Sequence, residues 1–595
     1  MQLTSNSIQK AAAISASGGG GSSKVTQFDD PEHPSVVLSV GGPGQTVVLY
    51  NAGTAPFSSV FEVGVTIAAE DDIPASSSPP LSLPLSSSVE INVVNTATSA
   101  PIQAQLVMSA GVAPGGPGRL LFVPVLPAIG WASYTLSATT SGASGAQPGA
   151  GEAVLPAAPS TPLQLPAQLT TACGGRVNID VVGSLEAIAI PTTMCPATGS
   201  PATGSAPAHF VTFSPKLMHY TNDTSGSYCF APAGPATDAT GGAPPTTIEA
   251  ETGAIATIVR QSWSSVGLVL ETMVRHSAAD TLCNAVRVTV ANTVPVQAQS
   301  ELVLRLGTSI SNTARTIRVD QGLWKTTTTF KPLDVDEVGG NYQPALHYVE
   351  LEDEELQPPT ASKSDSRSRA RLTAVTGRVT GVACLSTGDL ELKFLRDHRI
   401  DNCHLGPADD DRSLLQQRVE LIVSDVSDAD GARKSSSMRA RAACDGGDGG
   451  AVAAAARLSV LDPPRAFRGG ARAVVATASW LNPNTLGRFA GSVRVQDVRP
   501  LKLWPKGANH TGVAGTPVLV RLVYESTGAD AERTVEINLP QLFVRGVEFA
   551  NVSETTLSGN AVRPLGGGGQ RSSTGLVQMV PGTVRTFVGV LQRLR

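Results

Sequence analysis

The chain of 595 residues carries 44 basic and 49 acidic side chains, a formal net charge of −5, so it has no electrostatic footprint for a nucleic-acid partner. Charged residues are only 16%, against roughly 25% in an ordinary soluble domain, and 59 glycines with 42 prolines mark a loop-rich chain that keeps a globular share of apolar residues. The length allows several domains with cores that need no staples, and no run of 18 apolar residues offers a membrane span.

Residues 1–45 are polar and Gly/Ser-rich and read as a flexible lead-in. A small β-sandwich is expected over 46–138, where short β-branched runs at Thr46 to Tyr50, Ser88 to Val94, Ile102 to Met108 and Leu120 to Val125 alternate with Gly/Pro/Ser turns. A low-complexity linker over 139–171 leads to a large β super-sandwich over 172–425. Its runs include Arg176 to Val182, His209 to Phe213, Ala256 to Arg260, Val286 to Val290, Glu301 to Leu306, Leu390 to Leu395 and Val419 to Val423. Their period is two, and nothing long shows helical spacing. Residues 426–475 read as a mostly disordered insertion, as does the Ser/Arg-rich stretch Pro358 to Arg371, and 476–595 reads as a carboxy-terminal β domain. No period of 20–50 residues repeats, which removes propellers and solenoids. The fold class is all-β: tandem antiparallel β-sandwiches with Gly/Ala/Ser/Pro-rich insertions.

Seven cysteines without a C-x-x-C argue against a zinc ribbon and a dense disulfide framework, and the odd number leaves at least one unpaired. Sequons at Asn222, Asn509 and Asn551 suit a glycosylated, lumenal protein, whereas Met1 to Ser17 lacks the apolar core of a signal peptide. Metal, nucleotide and nucleophile-elbow motifs are absent. Among the eight histidines, His398 and His404 around Asp401 come nearest to metal-ligand spacing, and a solvated loop is the expected reading. The acidic run Glu350, Glu352, Asp353, Glu354 and Glu355 offers hard oxygens for calcium, with a polar turn after a strand as the expected alternative. The sequence nominates no catalytic residue.

Ser225-Gly-Ser-Tyr-Cys-Phe-Ala-Pro232 resembles the Ser-Gly-Ala-Tyr-x-Phe-x-Pro motif of the family-38 glycoside hydrolases, the class II α-mannosidases. In the same order, Glu301-Leu-Val-Leu-Arg-Leu-Gly-Thr308, Val319-Asp-Gln-Gly322 and Asn341-Tyr-Gln-Pro-Ala345 are similar to further elements of that family. So are Leu372-Thr-Ala-Val-Thr-Gly-Arg-Val-Thr-Gly381 and Gly388-Asp-Leu-Glu-Leu392. The resemblance covers roughly residues 46–595 and corresponds to the family's carboxy-terminal β half, which implies a galactose-mutarotase-like super-sandwich. It implies an association with terminal α-mannosyl residues of mannose-containing glycans and a secretory location: lysosome or vacuole, Golgi, or extracellular. The family's zinc ligands and nucleophile belong to a preceding α/β barrel that these residues do not supply. The expectation is therefore an incomplete product, not catalytic alone, whose partner is that barrel in cis or in trans. By motif position Tyr228 and Arg378 are implied to bind substrate; by spacing alone they read as a core or interface tyrosine and a surface arginine. The family's Ser-Gln-Gly becomes Val379-Thr-Gly381 here, and its His-Arg-Arg becomes Leu395-Arg-Asp397. The alternative function is a stand-alone carbohydrate-binding β-sandwich protein, disfavoured by an aromatic content of 4%.

Overall fold

The computed structural model describes residues 25–27, 35–51, 57–68, 89–107, 118–127, 130–140, 158–189, 210–221, 230–295, 300–321, 325–332, 338–354, 369–398, 409–410, 414, 416–425, 465–469, 478–479, 493–500, 516–524, 534–543, 547–556, 576–580 and 582–593. Among them the structure is β throughout; its helical element is a single 3₁₀ turn at Gly339–Asn341. The multiple, largely antiparallel sheets are those of tandem β-sandwiches.

The first sandwich faces a seven-stranded sheet against a five-stranded one. The seven-stranded sheet is centred on Gln45–Asn51, Gly130–Thr140 and Val89–Asn95; the five-stranded sheet runs through Ala104–Val107, Gly118–Phe122, Phe61–Ala68 and Ser35–Ser39. Alternation along each strand sends Val47, Leu49, Val63, Val65, Ile91, Leu120, Phe122, Tyr134 and Leu136 into one core. This sandwich draws on residues outside 46–138. Val25–Gln27 and Ser35–Ser39 come from the expected lead-in, and Ala158–Pro159 from the expected linker. Arg465–Gly469, inside the span read as an insertion, pairs with both Gln45–Asn51 and Val25–Gln27. Their local composition does not mark these strands, because each ladder is made by the backbone with a partner distant in sequence, from Ser35 with Gly64 to Val25 with Gly469.

The second body consists of two ten-stranded sheets face to face. One is centred on Ala256–Trp263, Leu268–Arg275, Val286–Asn292, Gln416–Asp425, Ala370–Thr376 and Tyr348–Glu352. The other is centred on Phe210–Thr221, Ser300–Thr308, Asp389–His398 and Thr380–Ala383. Val259, Leu270, Val288, Leu372 and Leu421 of the first meet Val211, Leu217, Leu304, Leu390 and Leu392 of the second in one continuous core. At the carboxy terminus, Val493–Pro500, Thr516–Tyr524, Thr583–Arg593 and Val547–Thr555 form a four-stranded sheet, and Val535–Asn538 pairs with Leu576–Met579.

Strands 268–275 and 286–292 are buried on both faces because their outer face carries the first sandwich. Val60, Val107, Leu121 and Val123 pack there against Ile255, Ala256, Ile258 and Met273. Gln105 fits the joint as a backbone mimic: its side-chain carbonyl accepts from the N–H groups of Ile255 and Ala256 at 2.9 and 2.8 Å, and its amide donates to the Ala256 carbonyl at 3.0 Å.

Beside this apolar contact lies a balanced network of carboxylates and guanidinium groups. Arg119 forks onto Glu271 at 3.0 and 2.8 Å, and Arg260 reaches the same carboxylate at 2.8 Å. Arg287 bridges Glu420 at 2.8 Å and Glu62 at 2.7 Å, while Arg275 donates to Glu420 at 2.7 Å and faces Asp280 at 3.1 Å. Side chains of Arg275, Asp280 and Glu420 are 0% exposed. Burial works to raise the Glu420 carboxyl, but the adjacent Arg275 and Arg287 charges outweigh it and hold the group at about 2, against an ordinary 4.5. Because the folded value is depressed, this contribution to stability is fully present above pH 4.5 and is lost as pH falls through about 2. Glu420→Gln leaves two buried guanidinium groups short of a counter-charge and is expected to cost about 3–5 kcal/mol at pH 7. Urea unfolding from pH 7 to pH 2 checks this: the wild type should lose its advantage over the variant at the acid end, and a constant difference at every pH contradicts the assignment.

Candidate functional site

The outer face of the second ten-stranded sheet carries a second polar cluster, and its residues come from the motifs separated along the chain. Register places Tyr220 opposite Glu301, and Arg305 opposite Glu391. Lys393 stands two residues beyond Glu391 on the same face. Two segments cover this face: Phe230 with Ala236, and Val338 with Tyr342, packed over Met218, Tyr220 and Val303.

Glu391 is the hub and is 1% exposed. Its Oε2 accepts from the Tyr220 hydroxyl at 2.8 Å and from the Tyr342 hydroxyl, and its Oε1 accepts from Arg305 Nε at 2.6 Å. Lys393 pairs with the buried Glu301 and sits over two rings, 2.9 Å from the centroid of Phe230 and 4.7 Å from that of Tyr342. Phe230, Tyr220 and Tyr342 meet edge to face, with centroids 5.0 to 6.4 Å apart. Phe230, Tyr342, Arg305 and Lys393 remain partly exposed, so the cluster reaches the surface through two ring edges and two cations.

Two glycines make the packing possible. A Cβ at Gly381 would meet Lys393 Cδ at 2.9 Å and the Tyr342 ring at 3.3 Å. Gly388 has φ +75° and sits so close to the carbonyls of Thr308 and Ile310 that a Cβ would lie 2.5 Å from the first. That turn sets the register of Asp389–His398 and thereby the positions of Glu391 and Lys393.

Both phenols are pushed well up from the ordinary tyrosine value, first by burial and then by the Glu391 charge. Burial works to lower the Arg305 guanidinium, and the Glu391 carboxylate reverses this and raises it. At neutral pH the phenols are therefore donors and Glu391 an acceptor saturated by its neighbours. The arrangement can hold and orient a polar ligand against its ring edges and cations; it holds no activated nucleophile.

Tyr228, Asn222 and Asn509 lie outside the described residues, as do Asp401, His404 and Glu355. Phe230, two residues after Tyr228, is in the cluster. Arg378 is exposed on the turn that leads into Thr380–Ala383, the strand of Gly381, and its carbonyl accepts from the Thr376 hydroxyl at 2.9 Å. His398 closes the strand Asp389–His398. Asn551 is exposed, with φ +50°, at the bulge between Ala550 and Ser553. Glu301, Arg305, Phe230, Tyr342 and Glu391 lie within the resembling motifs and Lys393 one residue beyond one of them, but the motifs do not single out these side chains. For Glu301, Arg305, Glu391 and Lys393 the signal is a polar residue on the outward phase of a strand whose inward phase is apolar; Phe230 and Tyr342, on the covering segments, carry no such mark.

The acidic run lines a cleft of about 620 Å³ together with Asn312, Thr313 and Arg318. Its carboxylates are engaged by the protein itself. Lys325 holds Glu350 at 2.8 Å, Arg318 and Arg371 hold Glu352, and the N–H groups of Ser311 and Ala370 hold Asp353 at 2.7 and 2.8 Å. Thr313 and Ala314 hold Glu354. This is the chemistry of the polar turn, and Arg369 and Arg371, from the expected Ser/Arg-rich insertion, are part of it. Among the described residues no three His, Cys, Asp or Glu side chains are grouped so as to hold a metal ion. No described helix is long and apolar enough to cross a membrane.

No family profile matches the chain, and no curated protein matches it in sequence. Among solved structures the chain is similar to an alpha-mannosidase from Enterococcus faecalis V583, with a TM-score of 0.48 and 11% identity. The match covers 95% of this chain and 57% of that one, so the chain spans little more than half the length of that protein.

Glu391→Gln removes the charge that adds to burial in holding both phenols up. Spectrophotometric titration at 295 nm should show more tyrosine ionising below pH 12 in the variant than in the wild type. An unchanged titration curve in a folded variant contradicts the contacts described.

Proposed function

We propose that this chain is the carbohydrate-associated β portion of an α-mannosidase-like glycoside hydrolase of the family-38 type, working with a catalytic α/β barrel supplied in cis or in trans. The observation that carries the reading is convergence. Segments around residues 230, 301–305, 342, 381 and 388–391 resemble one family's motifs in order along the chain, and they meet in one cluster of rings, cations and carboxylates. A guanidinium fork, an ammonium and aromatic edges suit the hydroxyls and apolar faces of a hexose. Tyr228 and Arg378 flank this cluster in sequence and are the side chains proposed to meet a mannosyl residue. Retaining hydrolysis also needs a carboxylate nucleophile, which the resemblance places, with zinc, on the barrel.

A secretory location fits the Cys173–Cys283 disulfide and the exposed Asn551 sequon. Expressed through a secretory host, the chain should carry an N-glycan at Asn551; endoglycosidase should shift its gel mobility, and Asn551→Gln should reduce that shift by one glycan.

Function is tested on native material. An antibody to this chain should recover a species larger than 61 kDa, or one bound to a barrel chain, that cleaves an aryl α-mannoside and is silenced by a chelator. In that species Arg378→Ala should lower kcat/KM by about tenfold, the loss of one charged hydrogen bond in the site. A native product at 61 kDa that binds mannose-containing glycans without cleaving them supports the stand-alone binding protein instead, and one that does neither ends both readings.

A further inference from the structure

Loop 276–285, between strands Leu268–Arg275 and Val286–Asn292, is where three parts of the molecule meet. Cys283 forms a disulfide with Cys173, with Cα atoms 5.6 Å apart. Cys173 belongs to the hairpin between Ala167–Thr170 and Arg176–Ile179 of the opposite ten-stranded sheet. Toward the first sandwich, the Asp280 carboxylate accepts from the Val60 N–H at 3.2 Å while facing Arg275. Thr281 gives its N–H and its hydroxyl to the Ser58 carbonyl at 2.7 and 2.8 Å, and the Ser58 hydroxyl returns a bond to the Ala279 carbonyl at 2.5 Å. Leu282 and Ala285 pack beneath, against Tyr348, Val375 and Ile422.

Three hydrogen bonds between the cysteine hairpin and this region lie at the upper end of the ordinary range. The Ala172 N–H donates to the Arg275 carbonyl at 3.2 Å, the Thr171 hydroxyl to Asn284 at 3.3 Å, and His276 Nδ1 lies 3.1 Å from the Thr170 carbonyl. The disulfide adds a covalent link between hairpin and loop. Cys173 is half-buried, which leaves a reductant an approach. Neither core contains the disulfide, since the apolar clusters of the first sandwich and of the super-sandwich are complete without it.

We propose that the Cys173–Cys283 disulfide is a redox-sensitive buttress that keeps loop 276–285 seated on Ser58 and Val60, so that its reduction loosens the joint between the two sandwiches while both cores stay folded. The step is an exchange with a dithiol: the S–S bond breaks, two thiols form on the protein with two electrons and two protons from the reductant, and the dithiol leaves as its own disulfide. Among the described residues the remaining thiol, Cys384, does not compete in the native state, because burial pushes it up to about 12.

The test uses the full chain with dithiothreitol as the dithiol. Thiols are trapped with N-ethylmaleimide and located by peptide mass, and amide hydrogen exchange is followed with and without reductant. Cys173 and Cys283 should label only after reduction. Exchange in peptides spanning 57–61 and 277–285 should then accelerate by about tenfold or more, the signature of a local opening, while peptides of Gln45–Asn51 and Ser300–Thr308 keep their protection. Cys173→Ser should show the same pattern without reductant. Labelling of both cysteines before reduction overturns the proposal, as does unchanged exchange at the joint or equal acceleration in the core peptides.

Discussion

Glu420 shares one carboxylate oxygen between Arg275 and Arg287, and Arg287 continues to Glu62 on the first sandwich. Everything that relates the two sandwiches is arranged around this chain of charges. Burying such ions is costly unless each finds a partner in good geometry, and here the demand is met from both bodies at once: Glu62 and Arg119 come from one, and Glu271, Arg275, Arg287 and Glu420 from the other. Each surface pairs part of its ions within itself, as Arg260 with Glu271 and Arg275 with Glu420, and completes the set across the joint through Arg119 with Glu271 and Arg287 with Glu62. Docking is therefore specified in position, because a shift of one body on the other would part Arg119 from Glu271 and Arg287 from Glu62 and leave buried ions short of a partner. The apolar patch at Val60, Leu121, Ile258 and Met273 supplies non-directional attraction; the ions, with Gln105, choose the register.

The same logic recurs on the far side of the super-sandwich with a different outcome. The cluster around Glu391 also buries a carboxylate under a guanidinium, but its cover consists of two short segments and its cations reach the surface. Where the Glu420 network is closed by a second sandwich, the Glu391 cluster is left with aromatic and cationic edges facing outward. That contrast is the physical reason the proposed ligand contact falls on the second cluster and not on the more deeply buried first one.

Much of the β architecture was legible in the residues. The runs Val286 to Val290 and Leu390 to Leu395 lie on observed strands because an alternation that buries one face admits few other conformations, whereas of Arg176 to Val182 the strand keeps Arg176–Ile179 and leaves Val181 and Val182 exposed in the turn that follows. The strands Thr247–Thr252 and Lys325–Thr329 carry no such mark, being built from small and polar residues held by neighbours, and Gly130–Thr140 spaces Trp131, Tyr134 and Leu136 among small and polar ones. The site was half legible. Its motifs could be quoted in order, but choosing Glu391 over the other acids required knowing which side chains share an outward face across strands, a relation set by register and not by spacing.

The sequence by itself determined the all-β class, the absence of a local metal or nucleophile motif, and the ordered motifs that resemble one glycosidase family, since each depends only on neighbours along the chain. Tertiary structure alone decided the rest. It returned residues 465–469 to the first sandwich, joined Cys173 to Cys283, and spent the acids of 350–354 on internal donors. It also gathered Phe230, Arg305, Tyr342 and Glu391 into one cluster. These outcomes depend on long-range pairing, where the free energy comes from burying a face or closing an ion pair between segments that carry no local mark of one another.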